Sequence, residues 1–138
     1  MSFARIECKR HDGLCVVTLH HPNHREYSVT ATPGPSAVAS VIAWQAETGA
    51  TVLSAEVFGI RKSDCPESAR MDAWPVLWVE EGCDGFLELG GAQVWAVSGL
   101  EVQTLRCDER VSGVIFEDDY FRYCRLSGLT SSDATLPP

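Results

Sequence analysis

The sequence lacks long apolar runs, clustered lysines and paired metal-binding cysteines. Its longest apolar stretches fall far short of the ~18 residues of a spanning helix, and charges occupy positions 5–10, where a signal peptide needs an apolar core. We therefore expect no membrane segment and a cytoplasmic location. Lys9 and Lys62 are the two lysines among 11 basic residues, against 19 acidic residues and a net charge of −8. That balance argues against a nucleic-acid partner, because phosphate binding depends on clustered positive charge.

The cysteine and histidine spacings do not favour a metal centre. None of the six cysteines belongs to a Cys-x-x-Cys pair, and no matching cysteine pair accompanies the histidines. The cysteines are expected to be reduced, mostly as small buried apolar residues. His20, His21 and His24 fall in a polar turn, so we expect them to be exposed and without partners. Because no phosphate-binding glycine motif occurs either, we predict neither a metal nor a cofactor.

The hydrophobic patterning predicts an α+β domain. Alternation and turn residues favour strands at 3–9, 14–19, 27–31, 51–60, 75–80, 92–98, 100–106, 111–117 and 121–126. The best helix candidate runs from Ser36, a possible N-cap, to Gly49, a typical C-terminal residue. A short helix is possible near 67–73. One helix among many strands indicates a helix-covered, single mixed sheet with extra C-terminal strands.

The two ends of the chain share a pattern. Aligning residue 6 with residue 102 without gaps gives an offset of 96, which places Asp12 on Asp108 and Tyr27 on Tyr123. Two interpretations stay open here, an ordinary β-meander and an internal repeat. The repeat divides the chain into a unit at 1–99, strands resembling the start of a second unit at 100–127, and a flexible tail at 128–138.

The segments PSAVASVIAWQAETGATVLSAEVFG and GGAQVWAVSG, after an opening hairpin, resemble the RidA/YjgF family. The similarity is closest to its tandem-unit, chorismatase-like members. The resemblance implies a chorismate-mutase-like fold and a trimer with sites between subunits. It does not carry over the deaminase chemistry, because the family's carboxylate-gripping Arg and the Cys after it are missing from GGAQVWAVSG. The family's older ribonuclease label also conflicts with the net charge of −8.

Four residues are the candidate ligand-binding set. Arg122 on the last strand is suited to clamp a carboxylate in a bidentate pair, although a surface pair with Glu117 or Asp118 is the alternative. Tyr123 follows it on the opposite face of that strand. Glu80 and Trp78, near a strand end, complete the set. Glu80 is suited to proton transfer if the Trp78 ring raises its pKa, and a solvated acidic loop is the alternative.

These observations predict a Rid/YjgF-like protein that binds a small carboxylated metabolite in an intersubunit cleft of a homo-oligomer, expected to be a trimer. Whether it is an enzyme stays open. One alternative is an imine/enamine deaminase or a chorismatase-like enzyme. The other is a structural or regulatory module whose exposed C-terminal strands pair with another chain.

Overall fold

One α-helix and two β-sheets make up the chain in a computed structural model, which describes residues 5–34, 36–79, 91–108 and 110–126. The helix α1 covers Ala37–Thr48. The strands are β1 (Arg5–His11), β2 (Leu14–His20), β3 (Arg25–Ala31), β4 (Thr51–Phe58), β5 (Val76–Val79), β6 (Gly91–Ser98), β7 (Val102–Cys107), β8 (Arg110–Glu117) and β9 (Arg122–Leu126). The predicted tail at 128–138 lies outside the described residues.

The main sheet has six strands in the order β1-β2-β3-β6-β4-β5. Its β4–β5 pair is parallel, whereas the other described pairs are antiparallel, so the sheet is mixed as predicted. Asp12 and Gly13 close the first hairpin with φ values of 47° and 79°. Two left-handed residues in a row suit the twist of a tight hairpin, which is why Asp-Gly occurs there.

Helix α1 lies on one face of the main sheet. It ends at Gly49, whose φ of 69° lets its N–H donate to the carbonyl of Gln45. Ser36 occupies the N-cap position, but its side chain makes no capping hydrogen bond. Alternate sheet residues face the helix and form the larger core, among them Val29, Ala55, Val57, Val94 and Ala96. The helix prediction is therefore confirmed in place and length, and the Ser36 side-chain cap is not formed.

Strands β7, β8 and β9 form a separate three-stranded sheet, which we call the meander. The sequence predicted one sheet with extra strands, and this is corrected because the meander packs on the main sheet face to face. Its Val114 and Phe116 join Leu53 and Val97 of the main sheet in a second buried cluster, which Trp95 borders. A β-bulge at Leu53 turns that leucine toward the meander, since the register shifts between Val52 and Ser54.

The meander repeats the local geometry of β1–β2–β3. Asp12 and Asp108, at an offset of 96, both have positive φ, at 47° and 58°. The backbone bonds from His21 N–H to His24 and from Asp118 N–H to Phe121 also correspond, at an offset of 97. The offset grows by one because Ser112 is an extra residue between the pairs Arg106–Val111 and Leu105–Gly113. A gap-free offset of 96 therefore holds only as far as the first turn.

The stretch between β4 and β5 contains two short 3-10 helices, Lys62–Asp64 and Ser68–Met71, and the second lies within the range 67–73 where the sequence indicated a short helix. Met71 is 1% exposed and anchors this stretch to the larger core. In the described ranges, no helix is both long enough and apolar enough to cross a bilayer.

Candidate functional site

A half-open cleft of about 400 Å³ separates the meander from the main sheet. It lies on the sheet face opposite α1, beside the buried cluster around Phe116. Its lining is mainly polar and consists of Glu26, Ser28, Ser54, Glu56, Gln93, Val94, Trp95 and Arg125. Strands β3, β4 and β6 supply all of these residues except Arg125, which comes from β9. The cleft therefore exists only where the two sheets meet.

Trp95 joins the charged groups at one end of the cleft. Its indole N–H donates a hydrogen bond of 3.0 Å to Oε2 of Glu26. The guanidinium carbon of Arg125 lies 5.2 Å from the centre of the same ring, in a cation–π contact. The Glu26 carboxylate and the Arg125 guanidinium therefore both contact the Trp95 indole, and they form no ion pair with each other.

The Arg125 guanidinium has no ion-pair partner among the described residues. The Arg125 side chain is exposed, and its guanidinium lies over Trp95, which itself packs edge-on against Phe116 at a centroid distance of 5.9 Å. A guanidinium offers several N–H donors in a rigid planar fork that matches the two oxygens of a carboxylate. Arg125 is therefore the residue of the cleft best suited to hold an anionic group.

His21 lies on the other side of Glu26. Its Nε2 is 3.4 Å from Oε1 of Glu26, and the imidazole stacks on His24 with ring centres 4.2 Å apart. His24 in turn contacts Oδ1 of Asn23 through Nδ1, at 2.9 Å. Burial, and secondarily the nearby His21, hold the pKa of His24 below its ordinary value. The expectation of exposed histidines without partners was wrong, because the side chains of His20 and His21 are only 16% and 29% exposed.

The β8–β9 turn closes the junction between the sheets. Oδ1 of Asp118 accepts hydrogen bonds from the backbone N–H groups of Tyr120 and Phe121, at 2.8 and 2.7 Å, and these bonds lower the pKa of Asp118. Its Oδ2 accepts a 3.1 Å bond from the Tyr123 phenol, which raises the pKa of Tyr123. Asn23, in the corresponding turn between β2 and β3, donates to Asp119 at 3.2 Å. The exposed Asn23–Asp119 contact therefore links the two turns across the junction.

The structure separates the four residues that the sequence singled out. Arg122 lies on the outer face of the meander, 3.5 Å from Glu117, with 68% of its side chain exposed. Tyr123 faces inward and stacks on Phe116 at 4.7 Å. Trp78 packs on the helix side of the main sheet, beside a different pocket of about 370 Å³. Glu80 lies outside the described residues. Tyr123 is thus the one described member of the set that is close to the cleft, and Arg122 has the surface partner that the alternative foresaw.

The expectation that most cysteines are buried is also corrected. Cys65 is buried, whereas Cys8, Cys107 and Cys124 are exposed and Cys15 is half-buried. The Cys8 and Cys15 sulfurs lie 3.9 Å apart on neighbouring strands. Within the described residues, no three His, Cys, Asp or Glu side chains are grouped so as to hold a metal ion.

Comparison of the chain with known protein families, with curated proteins and with solved structures gives no match. Fold and site geometry therefore carry the functional argument.

Proposed function

We propose that this chain binds a small carboxylated metabolite in the cleft between the two sheets, with Arg125 as the carboxylate clamp. The observation that carries the proposal is the Arg125 guanidinium, which lies over Trp95 at the edge of a polar cleft and forms no ion pair with any residue that the structure describes. The ligand's other end faces Glu26 and Glu56, which favour hydrogen-bond donors. A volume of about 400 Å³ suits a metabolite rather than a polymer.

The test compares two arginines of one strand. Arg125→Gln removes the guanidinium from the cleft, whereas Arg122→Gln removes one from the outer face, where it pairs with Glu117. A panel of small carboxylic acids is titrated against each variant and followed by NMR. A bidentate, charge-assisted contact contributes about 1.5–3 kcal/mol, so Arg125→Gln should weaken binding about 10- to 150-fold. Arg122→Gln should leave affinity unchanged, and the reverse pattern would assign the ligand to Arg122.

The wider assignment is part of the same proposal. A mixed sheet with one helix on one face, together with the segments quoted above, supports a Rid/YjgF-like protein. Ile6 on β1, and Phe58 and Leu77 on β4 and β5, are 68%, 40% and 40% exposed and lie toward opposite edges of the main sheet, where they are available to neighbouring copies. We propose a trimer. Sedimentation equilibrium should give three times 15.1 kDa, and a monomer at micromolar concentration would contradict it.

A second candidate function is strand addition at β9. In the three-stranded unit β1–β2–β3, the edge of β3 that faces away from β2 pairs with β6 along its whole length. Among the described strands, β9 pairs with β8 alone, so its corresponding edge is unfilled. An extended segment of another chain would fit there. Amide hydrogen exchange tests this, because β9 amides should gain protection as protein concentration rises while β3 amides stay protected throughout. Concentration-independent exchange in β9 would contradict it.

A further inference from the structure

The contacts of Glu26 set it apart from Glu56, the other carboxylate that lines the cleft. One oxygen accepts the Trp95 N–H at 3.0 Å, and the other lies 3.4 Å from Nε2 of His21. The Trp95 bond fixes the carboxylate, and His21 offers a second site for a proton. Nε2 of His21 is buried and makes no hydrogen bond within the described part of the chain, while 29% of the side chain as a whole is exposed to solvent.

Glu26 therefore resembles a general base with a proton acceptor behind it. Such a base needs a substrate held in position, and Arg125 on the same indole provides the anchor for a carboxylate. Ser28 and Ser54 line the same cleft and carry hydroxyls that can donate to a developing oxyanion. Base, anchor and oxyanion donors thus belong to one cavity.

We propose that the cleft catalyses keto–enol tautomerisation of a small 2-oxo acid, with Glu26 as the base. This rests on the proposed function, because Arg125 must first hold the carboxylate. Glu26 takes a proton from the carbon next to the ketone. The C–H electron pair becomes the new C=C bond, and the carbonyl π pair moves onto oxygen, where a proton arriving through the serine hydroxyls completes the enol. No oxidant, reductant or co-reactant is consumed.

His21 is a positioning residue in this scheme, since it touches Glu26 and not the substrate. It accepts the proton from Glu26 and releases it to solvent, which resets the base. Without it, the abstracted proton tends to return to the carbon from which it came.

The experiment follows deuterium entry at C3 of pyruvate and 2-oxobutyrate in D₂O by proton NMR. The full chain should accelerate exchange above the buffer rate. Glu26→Gln should reduce that acceleration about 100-fold or more, because general-base contributions are typically 10²–10⁴-fold. The matched control is Glu7→Gln, because Glu7 also lies 3.4 Å from a histidine, His20, but outside the cleft. The Glu7→Gln variant should accelerate deuterium entry into the 2-oxo acids as much as the unaltered chain does.

His21→Ala should slow exchange, and free imidazole should restore part of it, an effect that a purely structural role would not give. Unaccelerated exchange of both 2-oxo acids, while the unaltered chain still binds carboxylates through Arg125, overturns the tautomerase and leaves the binding function intact. Equal exchange by Glu26→Gln and the unaltered chain also overturns the proposal. If the unaltered chain binds no small carboxylic acid, the proposed function itself is refuted, and the tautomerase with it.

Discussion

Removing the Phe116 ring tests whether the meander is held to the main sheet as described. Phe116 is 6% exposed and packs edge-on against Trp95 at 5.9 Å and face-to-face with Tyr123 at 4.7 Å. Truncating a buried phenylalanine to alanine typically costs about 3–5 kcal/mol. Among the residues that the structure describes, this cluster has four buried members and can partly collapse, so we expect about 3 kcal/mol for Phe116→Ala.

The assay is urea unfolding, followed by tryptophan fluorescence and by circular dichroism. In a parallel thermal unfolding experiment on a chain of this size, a loss of about 3 kcal/mol corresponds to a fall in Tm of about 6–12 °C. The control is Phe121→Ala, which removes the same ring from a position that is 66% exposed and should change stability by no more than about 0.5 kcal/mol. A loss below about 1 kcal/mol for Phe116→Ala would refute the inter-sheet packing. Equal losses in both variants would refute the assignment of the two rings.

Three further predictions concern single residues. Gly113→Ala should destabilise the chain by about 1–3 kcal/mol in urea unfolding, because a Cβ there would lie 2.5 Å from the carbonyl oxygen of Arg125; an unchanged midpoint would contradict this. Because the pKa of His24 is lowered in the folded chain, the unfolded chain binds a proton more readily, so the free energy of unfolding should fall as the pH drops below about 6.5. His24→Gln should make the free energy of unfolding less dependent on pH, and an unchanged dependence would exclude His24 as its source. Burial raises the pKa of Cys65, so iodoacetamide should modify it far more slowly than the exposed Cys124, as peptide mass spectrometry would show; equal rates would place Cys65 at the surface.

Local patterns were enough to predict the first hairpin, the helix and most strands. Asp12 and Gly13 specify a tight turn on their own, and Gly49 specifies the end of α1, because each requires a left-handed backbone over one or two residues. The separate meander could not be predicted in this way. Its Val114 and Phe116 face the main sheet while Ile115 faces outward, so both faces of β8 are apolar and alternation does not identify the buried one.

The alternation of side chains along the strands predicted the candidate site only in part. Arg122 and Arg125 lie on one short strand and face opposite sides, so choosing between them requires knowing which side meets the main sheet. The sequence did show that Arg122 and Tyr123 point apart, and Arg125 shares the face of Tyr123. Glu26 was not selected because its partner Trp95 is distant in the chain and meets it only after folding.

Docking of the meander and formation of the cleft are one event. Arg125 reaches Trp95 only because Phe116 and Tyr123 place β9 over that face of the main sheet. A ligand that bridges Arg125 and the main sheet must therefore stabilise the docked state, by RT ln(1 + [L]/Kd). Phe116 does not itself line the cleft but packs against Trp95, which does, so Phe116→Ala should weaken carboxylate binding along with stability, and saturating ligand should recover part of the lost Tm. A variant that loses stability but binds with full affinity would show that Arg125 is positioned by other contacts.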